Sequence, residues 1–210
     1  MNNFQDLLEI SANRHSHLCP RQVLGVRIGL AGAAALGIQV PQNKKHMLSI
    51  IETDGCFADG VEVATGCTVG HRTLRVEDYG KIAATFIETK TGRAVRVAPH
   101  LDVRQKVYEF APHQEKPYFA QLSGYQIMPI DELVHIEEVQ LTTPIREIIS
   151  RAGVRVNCGV CGEEIINERE IVRNDMPVCK SCAGTSYYRV VQAPELAIHW
   201  SSVGHQEAVV

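Results

Sequence analysis

Closely spaced histidine and cysteine side chains are the first residues in this sequence that could perform chemistry. The stretch HSHLCP carries His15, His17 and Cys19 at alternate positions and ends at Pro20. Imidazole nitrogen and thiolate sulfur both bind Zn²⁺, and a cysteine beside a histidine is also the arrangement of an activated thiol. A third interpretation is that the stretch only precedes a helix. Pro20 favours an extended entry into that helix, in which the three side chains would share one face.

A second group of candidate residues lies in the stretch DGCFADGVEVATGCTVGHR. Cys56 follows a turn-forming Asp-Gly pair at the start of a predicted helix, where the helix N-terminus is expected to lower the pKa of the thiol. Asp59 lies one helical turn further on, on the same side. Cys67 lies between two glycines, and His71 follows it. Each residue alone is compatible with simple packing, but the set predicts a metal site or a reactive thiol.

Two Cys-x-x-Cys motifs near the C-terminus give the strongest chemical signal. Their members are Cys158, Cys161, Cys179 and Cys182. Each motif offers two thiolates to one ion, and four thiolates form the closed tetrahedral set of a structural zinc site. Two disulfides or an iron–sulfur cluster are the alternatives. We favour one structural Zn²⁺ per chain, because a module of about 35 residues cannot build a sufficient core of its own.

The composition argues against several other classes of protein. The 210 residues are 45% hydrophobic and 21% charged, with a formal net charge of −3, which is ordinary for a soluble globular chain. This charge does not favour nucleic acid or an anionic membrane as a partner. No apolar run reaches the roughly 18 residues that a transmembrane helix needs, and the N-terminus does not resemble a signal peptide. We therefore predict a cytoplasmic protein that contacts neither membrane nor nucleic acid.

Helices and strands alternate along the part of the chain that must position the first two groups. A short amphipathic helix is predicted over 4–11, followed by a longer helix from about Pro20 to Leu36 with Gly37 as its C-cap. Gly25 and Gly29 would lie on one face of the longer helix, where another backbone can approach closely.

The remaining elements follow from β-branched runs, turn residues and helix caps. They are a strand in HMLSIIETDG, a helix over Phe57–Thr65 ended by Gly66, a hairpin of Ile82–Glu88 and Ala94–Val97 around TKTG, a helical segment over Asp102–Glu109, a loop-rich stretch over Ala111–Tyr125, a strand or strand pair in IDELVHIEEVQL, a short helix capped by Thr143, and a hairpin that turns near Asn174-Asp175.

These elements predict an α+β fold, with a mixed or antiparallel sheet packed against helices and a small zinc-ribbon or treble-clef module after it. The predicted domains are a core over 1–152, a zinc-binding module over 153–190 and a C-terminal tail over 191–210.

The motifs together resemble the FmdE family, which takes its name from a component of formylmethanofuran dehydrogenase. The resemblance rests on HSHLCP, DGCFADGVEVATGCTVGHRTLRVEDYGKIAATF and GRAVRV, and it covers roughly residues 10–185. It implies an α+β core, frequently dimeric, with a pocket lined by the His-x-His-x-Cys stretch and the cysteine of the Asp-Gly-Cys turn. Many members continue into a zinc finger of ribbon or treble-clef type. Ser16 and Arg21 replace glycines that are common in the family, and His71 stands where a lysine is common.

The resemblance also implies roles for the candidate residues. Cys56, His17 and Asp59 would form a catalytic pocket, His15, His17 and Cys19 would hold a second metal, and Thr65, Gly66, Cys67 and His71 would bind a cofactor. The implied function is an accessory role in molybdenum or tungsten enzyme metabolism, handling a metal, a sulfur atom or a cofactor. A homodimer and a metalloenzyme or cofactor-assembly partner are the expected associations. The alternatives are an enzyme with a Cys/His or open-metal site, and a zinc-finger regulatory or adaptor protein.

Overall fold

A long central helix organises the first of two units, which comprises Met1–Ile149. The computed structural model describes residues 3–191 of the chain. Helix α1 (Phe4–Asn13) is followed by the central helix α2 (Pro20–Leu36). The predicted bounds of α2 are confirmed, because Pro20 occupies its first position and Gly37 ends it with a φ of 71°. Glycine adopts this left-handed conformation at little cost.

A five-stranded mixed sheet packs against the helices, in the order β2-β1-β3-β4-β5. The strands are β1 (Met47–Ile51), β2 (Leu74–Val76), β3 (Ala84–Glu88), β4 (Ala94–Pro99) and β5 (Val134–Val139). Strands β1 and β2 run parallel, and the other neighbouring strands run antiparallel. Strands β3 and β4 form the predicted hairpin, in which Phe86 pairs with Val95. The α+β class with a mixed sheet is therefore confirmed.

Helix α3 (Cys56–Thr65) follows β1 and packs along α2. It begins one residue before the predicted start, so Cys56 is itself the first residue of the helix. Gly66 ends α3, with a φ of 73°. The core lies between these two helices and the sheet, where side chains such as Val26, Phe57 and Phe86 are fully buried.

Helical structure also fills most of the stretch between β4 and the end of this unit. Its elements are α4 (Val103–Phe110), α5 (Pro117–Ile127), α6 (Ile130–Leu133) and α7 (Ile145–Ile149). The prediction of a loop over 111–125 is wrong. Pro117 takes the first turn of α5, where no backbone donor is needed. Gly124 lets α5 approach α4, since a Cβ there would lie 2.3 Å from Cγ2 of Val107.

The stretch predicted to form a strand or strand pair divides into two elements. Its first part forms the short helix α6, and the strand β5 begins directly after it. None of the helices among residues 3–191 is both long and apolar enough to cross a membrane.

The second unit begins at Ser150 and contains two short hairpins and a helical turn. These elements are β6 (Arg155–Asn157) paired with β7 (Glu164–Ile166), β8 (Ile171–Arg173) paired with β9 (Met176–Val178), and the turn Ser181–Thr185. Asn174 and Asp175 have φ values of 49° and 61°, as a tight hairpin turn requires. The order of hairpin, hairpin and helical turn corresponds to a treble clef. The predicted tail lies, beyond Val191, outside the described residues.

Candidate functional site

The four cysteines of the second unit converge on one point. Their sulfur atoms all lie within 4.8 Å of one another. Cys158 and Cys161 belong to the loop between β6 and β7, and Cys179 and Cys182 lie where β9 leads into the helical turn. Because a Zn–S bond is about 2.3 Å long, sulfur atoms around one zinc ion lie about 3.8 Å apart. The cluster therefore fits a single tetrahedral ion with little adjustment.

Backbone N–H groups hold the sulfur atoms of this cluster in place. The N–H of Cys179 donates to Sγ of Cys158, and the N–H of Cys182 donates to Sγ of Cys179, each at 3.3 Å. Backbone donors at Cys161 and Cys179 lower the pKa of Cys158 to about 6. A hydrogen bond with Cys179, together with burial, raises the pKa of Cys182 to about 12. Four thiolates thus coexist here only when a cation shares their charge, as in a structural metal centre.

Two glycines allow the first Cys-x-x-Cys loop to close. Gly162 has a φ of 78° and donates its N–H to the carbonyl of Cys158 at 2.9 Å. Gly159 lies against Met176, where a Cβ would be 2.3 Å from the sulfur atom. The sequence pattern identified the cysteines, but this packing of Gly159 depends on how the two hairpins meet.

A cavity of about 550 Å³ lies in the first unit, and three of the candidate residues line it. They are His17, Cys19 and Cys56. His17 and Cys19 belong to the segment that leads into α2, whereas Cys56 is the first residue of α3. Two separate segments thus bring two thiols and an imidazole to one cavity. These groups are ligands for soft and borderline metal ions.

The two thiols of the cavity interact with each other. Burial is the main cause that raises the pKa of Cys56, and a hydrogen bond with Cys19 raises it further. The positive charge of Arg21 acts in the opposite direction but does not overcome them. The expectation that the helix N-terminus would lower this pKa is therefore wrong. Burial and the neighbouring thiol outweigh the helix in this position.

The position of Cys19 is fixed by its role as the N-cap of α2. Its backbone N–H donates to Oε1 of Gln22 at 2.8 Å. The amide nitrogen of Gln22 in turn donates to the carbonyl of Ser11 at 2.7 Å. This chain of hydrogen bonds ties the end of α1 to the start of α2, so the thiol of Cys19 is presented to the cavity from a rigid element.

His15 and Asp59 are not among the residues that line the cavity. They pair with each other through Nε2 and Oδ2, and Arg14 lies 3.5 Å from Asp59 and 2.7 Å from Glu62. The reason lies at Ser16, whose φ of 63° breaks the extended conformation that would have placed the three side chains of HSHLCP on one face. Within residues 3–191, the four cysteines form the only group of three or more His, Cys, Asp or Glu ligand atoms close enough to share an ion.

Cys67 belongs to the hydrophobic core and does not line the cavity. It is fully buried, and its sulfur atom donates to the carbonyl of Met47 at 3.5 Å. Thr65 supports this arrangement, because its hydroxyl donates to the carbonyl of Val61 at 2.7 Å and accepts the N–H of Cys67 at 3.1 Å.

Gly66 and His71 likewise lie outside the lining of the cavity. Gly66 is packed against another backbone segment, since a Cβ there would lie 2.3 Å from the carbonyl oxygen of Gln42. His71 is exposed, and its backbone N–H donates to the hydroxyl of Thr68 at 3.1 Å. The contacts of this stretch are those of a structural turn.

Four cavity residues were missed at the level of sequence. They are Arg21, Arg104, Tyr118 and Tyr125. Both tyrosines lie on α5, in the stretch expected to be a loop. The apolar residues that follow Pro117 at helical spacing were a signal for that helix.

Fold and site together define an α+β domain with a cavity lined by cysteine and histidine, followed by a four-cysteine treble clef. The sequence model of a family described as "FmdE, Molybdenum formylmethanofuran dehydrogenase operon" matches residues 14–142. The chain therefore belongs to the FmdE family, as its motifs predicted.

Two known proteins show the same relationship. A "Probable S-adenosyl-L-methionine-binding protein" of Archaeoglobus fulgidus is 31% identical over 199 residues, which are 84% of this chain and 52% of that protein. This chain thus spans about half the length of that relative. The crystal structure of an FmdE-like protein of tungsten formylmethanofuran dehydrogenase from Syntrophus aciditrophicus superposes with a TM-score of 0.59 at 21% identity. The match covers 90% of this chain and 96% of the other, and it supports the fold.

Proposed function

We propose that this chain is a metal-binding accessory protein of molybdenum or tungsten enzyme metabolism, whose core cavity handles a metal, a sulfur atom or a cofactor. One observation carries the proposal: Cys19, Cys56 and His17 line the same cavity although they come from two segments of the chain. The description of the family and the name of the structural relative, which mention molybdenum and tungsten, support the area of metabolism.

The donor set of the cavity fits a metal ion. Cys19 and Cys56 would supply sulfur and His17 would supply nitrogen, which is a three-ligand set that leaves a coordination position open to the cavity. A bound ion would act there as a Lewis acid or as an attachment point for sulfur. The protein's own contribution is to fix the ligands, through the capping of α2 by Cys19 and the start of α3 at Cys56.

For the second unit we propose one structural Zn²⁺ bound by the four cysteines. The set is closed, because four sulfur atoms fill a tetrahedral shell and leave no position for a substrate. The buried core of this unit consists of Ile165, Val178 and Ala183 beside Cys158. So small a core requires additional stabilisation, which a bound metal ion supplies on folding.

Metal content per chain tests both sites. We expect the purified full chain, measured by inductively coupled plasma mass spectrometry after reconstitution, to hold two metal ions. His17→Ala and Cys56→Ser should each lose one ion, and His15→Ala is the matched control because His15 pairs with Asp59 away from the cavity lining. One ion per chain that persists in both cavity variants would contradict the core site. Cobalt substitution would identify the ligands, since thiolate-bound Co²⁺ has charge-transfer absorption that the Cys56 variant should weaken.

We further propose a cytoplasmic homodimer that delivers its cargo to a metalloenzyme or cofactor-assembly partner. The resemblance of the core to a frequently dimeric family supports the dimer. Sedimentation equilibrium of the full chain should give twice the mass of 23.2 kDa. A mass of one chain at all concentrations would contradict it.

S-adenosyl-L-methionine is a second candidate ligand, because it appears in the name of the Archaeoglobus fulgidus relative. Only 52% of that relative corresponds to this chain, so its name assigns no ligand to the shared half. Isothermal titration calorimetry with S-adenosyl-L-methionine decides the matter. Binding that is lost in Cys56→Ser would place the ligand in the core cavity, and no heat of binding would remove this candidate without affecting the metal proposal.

A further inference from the structure

Uncompensated positive charge characterises the core cavity. Arg21 and Arg104 line it, and no aspartate or glutamate does. In the described part of the chain, neither guanidinium forms an ion pair or a hydrogen bond with another residue. Other arginines of this unit are paired: Arg96, for example, lies 2.6 Å from Glu52. Two unpaired guanidinium groups that face one cavity indicate an anionic ligand.

A buried hydroxyl group in the same cavity has no protein partner. Tyr125 is only 1% exposed, yet it lines the cavity, and no residue among 3–191 hydrogen-bonds to its hydroxyl. Buried hydroxyl groups are normally hydrogen-bonded. The neighbouring Tyr118 shows the usual situation, because its hydroxyl donates to the carbonyl of Leu18 at 3.3 Å. The hydroxyl of Tyr125 is therefore available to a ligand inside the cavity.

Two helix N-termini add to the positive potential. Cys19 is the N-cap of α2 and Cys56 is the first residue of α3, and both line the cavity. The first N–H groups of a helix have no intrahelical acceptor, and the helix dipole places partial positive charge at this end. Backbone and side chains thus favour the same sign of ligand charge.

We infer that the core cavity binds a small molecule by an oxyanion group, a carboxylate or a phosphate, held by Arg21 and Arg104 and by a hydrogen bond from the hydroxyl of Tyr125. The inference rests on the proposed function and names the class of ligand that its Cys/His site receives. Guanidinium groups bind carboxylate and phosphate through paired N–H donors. A cavity of about 550 Å³ has the size that holds a whole small organic ligand, so the oxyanion is one end of a larger molecule.

The protonation of Tyr125 is consistent with its role as a donor. Burial raises the pKa of Tyr125, and the positive charge of Arg104 opposes this shift only in part. The hydroxyl therefore keeps its proton at neutral pH and donates to the bound anion. The apolar side chains of Leu24 and Ile82, which also line the cavity, are suited to contact the body of the ligand.

Alkylation of Cys56 by two matched reagents tests the inference on the full chain. Iodoacetate and iodoacetamide differ in charge but hardly in size, and in both reactions the thiolate sulfur displaces iodide. The ratio of the two rates is independent of the thiolate fraction, so it reports only how the cavity treats the negative charge. Relative to free cysteine, we expect the ratio of iodoacetate to iodoacetamide at Cys56 to rise about tenfold, in the range of electrostatic focusing.

Substitutions of the two arginines provide the decisive comparison. Arg21→Gln and Arg104→Gln should each lower the ratio toward that of free cysteine. Arg14→Gln is the control, because Arg14 pairs with Glu62 and does not line the cavity. A wild-type ratio equal to that of free cysteine, or one that neither cavity substitution changes, would overturn the inference. Circular dichroism verifies that each variant is folded.

Direct binding supplies a second measurement that does not require a reactive thiol. Inorganic phosphate should broaden in its ³¹P spectrum with the wild-type chain and sharpen with the double variant Arg21→Gln/Arg104→Gln. Equal line widths with both proteins would overturn the inference when a bound metal shields Cys56 from both reagents. Metal content measured on the same samples separates the two proposals. Arginine-dependent anion binding without a core metal removes the metal role alone, and a core metal without anion binding removes only the inference.

Discussion

Gly25 of α2 and Gly60 of α3 pack backbone against backbone, and this contact sets the two cavity cysteines side by side. A Cβ at Gly25 would lie 2.4 Å from the carbonyl oxygen of Phe57 and 2.9 Å from the Cα atom of Gly60. One turn further along α2, Gly29 lies against Ala64 in the same way. The two helices therefore run in the same direction, so their N-termini, with Cys19 and Cys56, meet at one end of the helix pair.

Replacing Gly60 with alanine should destabilise the core by about 2 kcal/mol. Its Cβ would lie 2.4 Å from the carbonyl oxygen of Gln22 and 2.8 Å from the backbone nitrogen of Val26, and backbone atoms cannot rotate away. Overpacking of this kind typically costs about 1–3 kcal/mol or more, which exceeds the roughly 1 kcal/mol that alanine gains over glycine in a helix. Urea unfolding followed by circular dichroism measures the loss. Gly70→Ala is the matched control, since nothing lies within 4 Å of a Cβ at Gly70. Equal stability of both variants would contradict the tight contact.

The thiol of Cys56 should react at higher pH than a free cysteine. Burial and the hydrogen bond with Cys19 raise its pKa, so at any pH below that value a smaller fraction is thiolate. In preparations whose cavity holds no metal, the rate of alkylation by iodoacetamide should keep rising above pH 8.5, roughly where a free thiol is half ionised. Cys19→Ser removes one cause of the shift and should move the midpoint back toward that of free cysteine. A midpoint at or below the free value would reinstate the helix N-terminus as the dominant influence.

Local signals in the sequence predicted part of this architecture. Pro20 and Gly37 mark the ends of α2 because each satisfies a backbone requirement at its own position, independently of the rest of the fold. The four cysteines were recognisable for the same reason, since the spacing within each Cys-x-x-Cys loop is a local property. The mixed sheet followed from β-branched runs and a turn between them.

The composition of the core cavity could not be predicted in full, because it depends on tertiary contacts. Arg104 and Tyr125 reach the cavity from α4 and α5, which approach each other closely through Gly124. The alternation in HSHLCP was misleading, since the left-handed conformation of Ser16 separates His15 from the cavity. A spacing argument assumes a regular backbone, and one residue with positive φ is sufficient to invalidate it.

Loss of one zinc ligand should unfold the second unit and leave the first unit intact. Cys161→Ser removes one of four sulfur atoms, and metal binding contributes about 10 kcal/mol or more to the folding of small zinc modules. We expect one zinc ion per chain to be lost and trypsin to cleave within 150–191, while Met1–Ile149 keeps its own hydrophobic core and its protection. Mass spectrometry of the digest measures both effects. Ser181→Ala, beside Cys182, should retain the metal. A Cys161 variant that keeps its zinc and its resistance to trypsin would contradict a structural role for the site.

Cys67 should prove to be a packing residue rather than part of the cavity chemistry. It is fully buried, and its sulfur atom contacts the carbonyl of Met47 instead of facing the cavity. Cys67→Ala removes only the sulfur atom from the core, so we expect a loss of stability of about 1 kcal/mol or somewhat more. The core metal and the alkylation ratio at Cys56 should not change, in contrast to Cys19→Ala, which alters a cavity thiol.

The reactivity of Cys67 itself provides an independent measurement of the same point. In the native chain iodoacetamide should leave Cys67 unmodified while it labels Cys56, because reagent reaches a fully buried thiol only when the surrounding structure opens. Labelling of Cys67 should then begin at the urea concentration at which the core unfolds. If Cys67 were labelled in the native chain, or if Cys67→Ala released the core metal, this residue would belong to the site after all. The element TGC would then join HSHLCP and the Asp-Gly-Cys turn as a third source of cavity ligands.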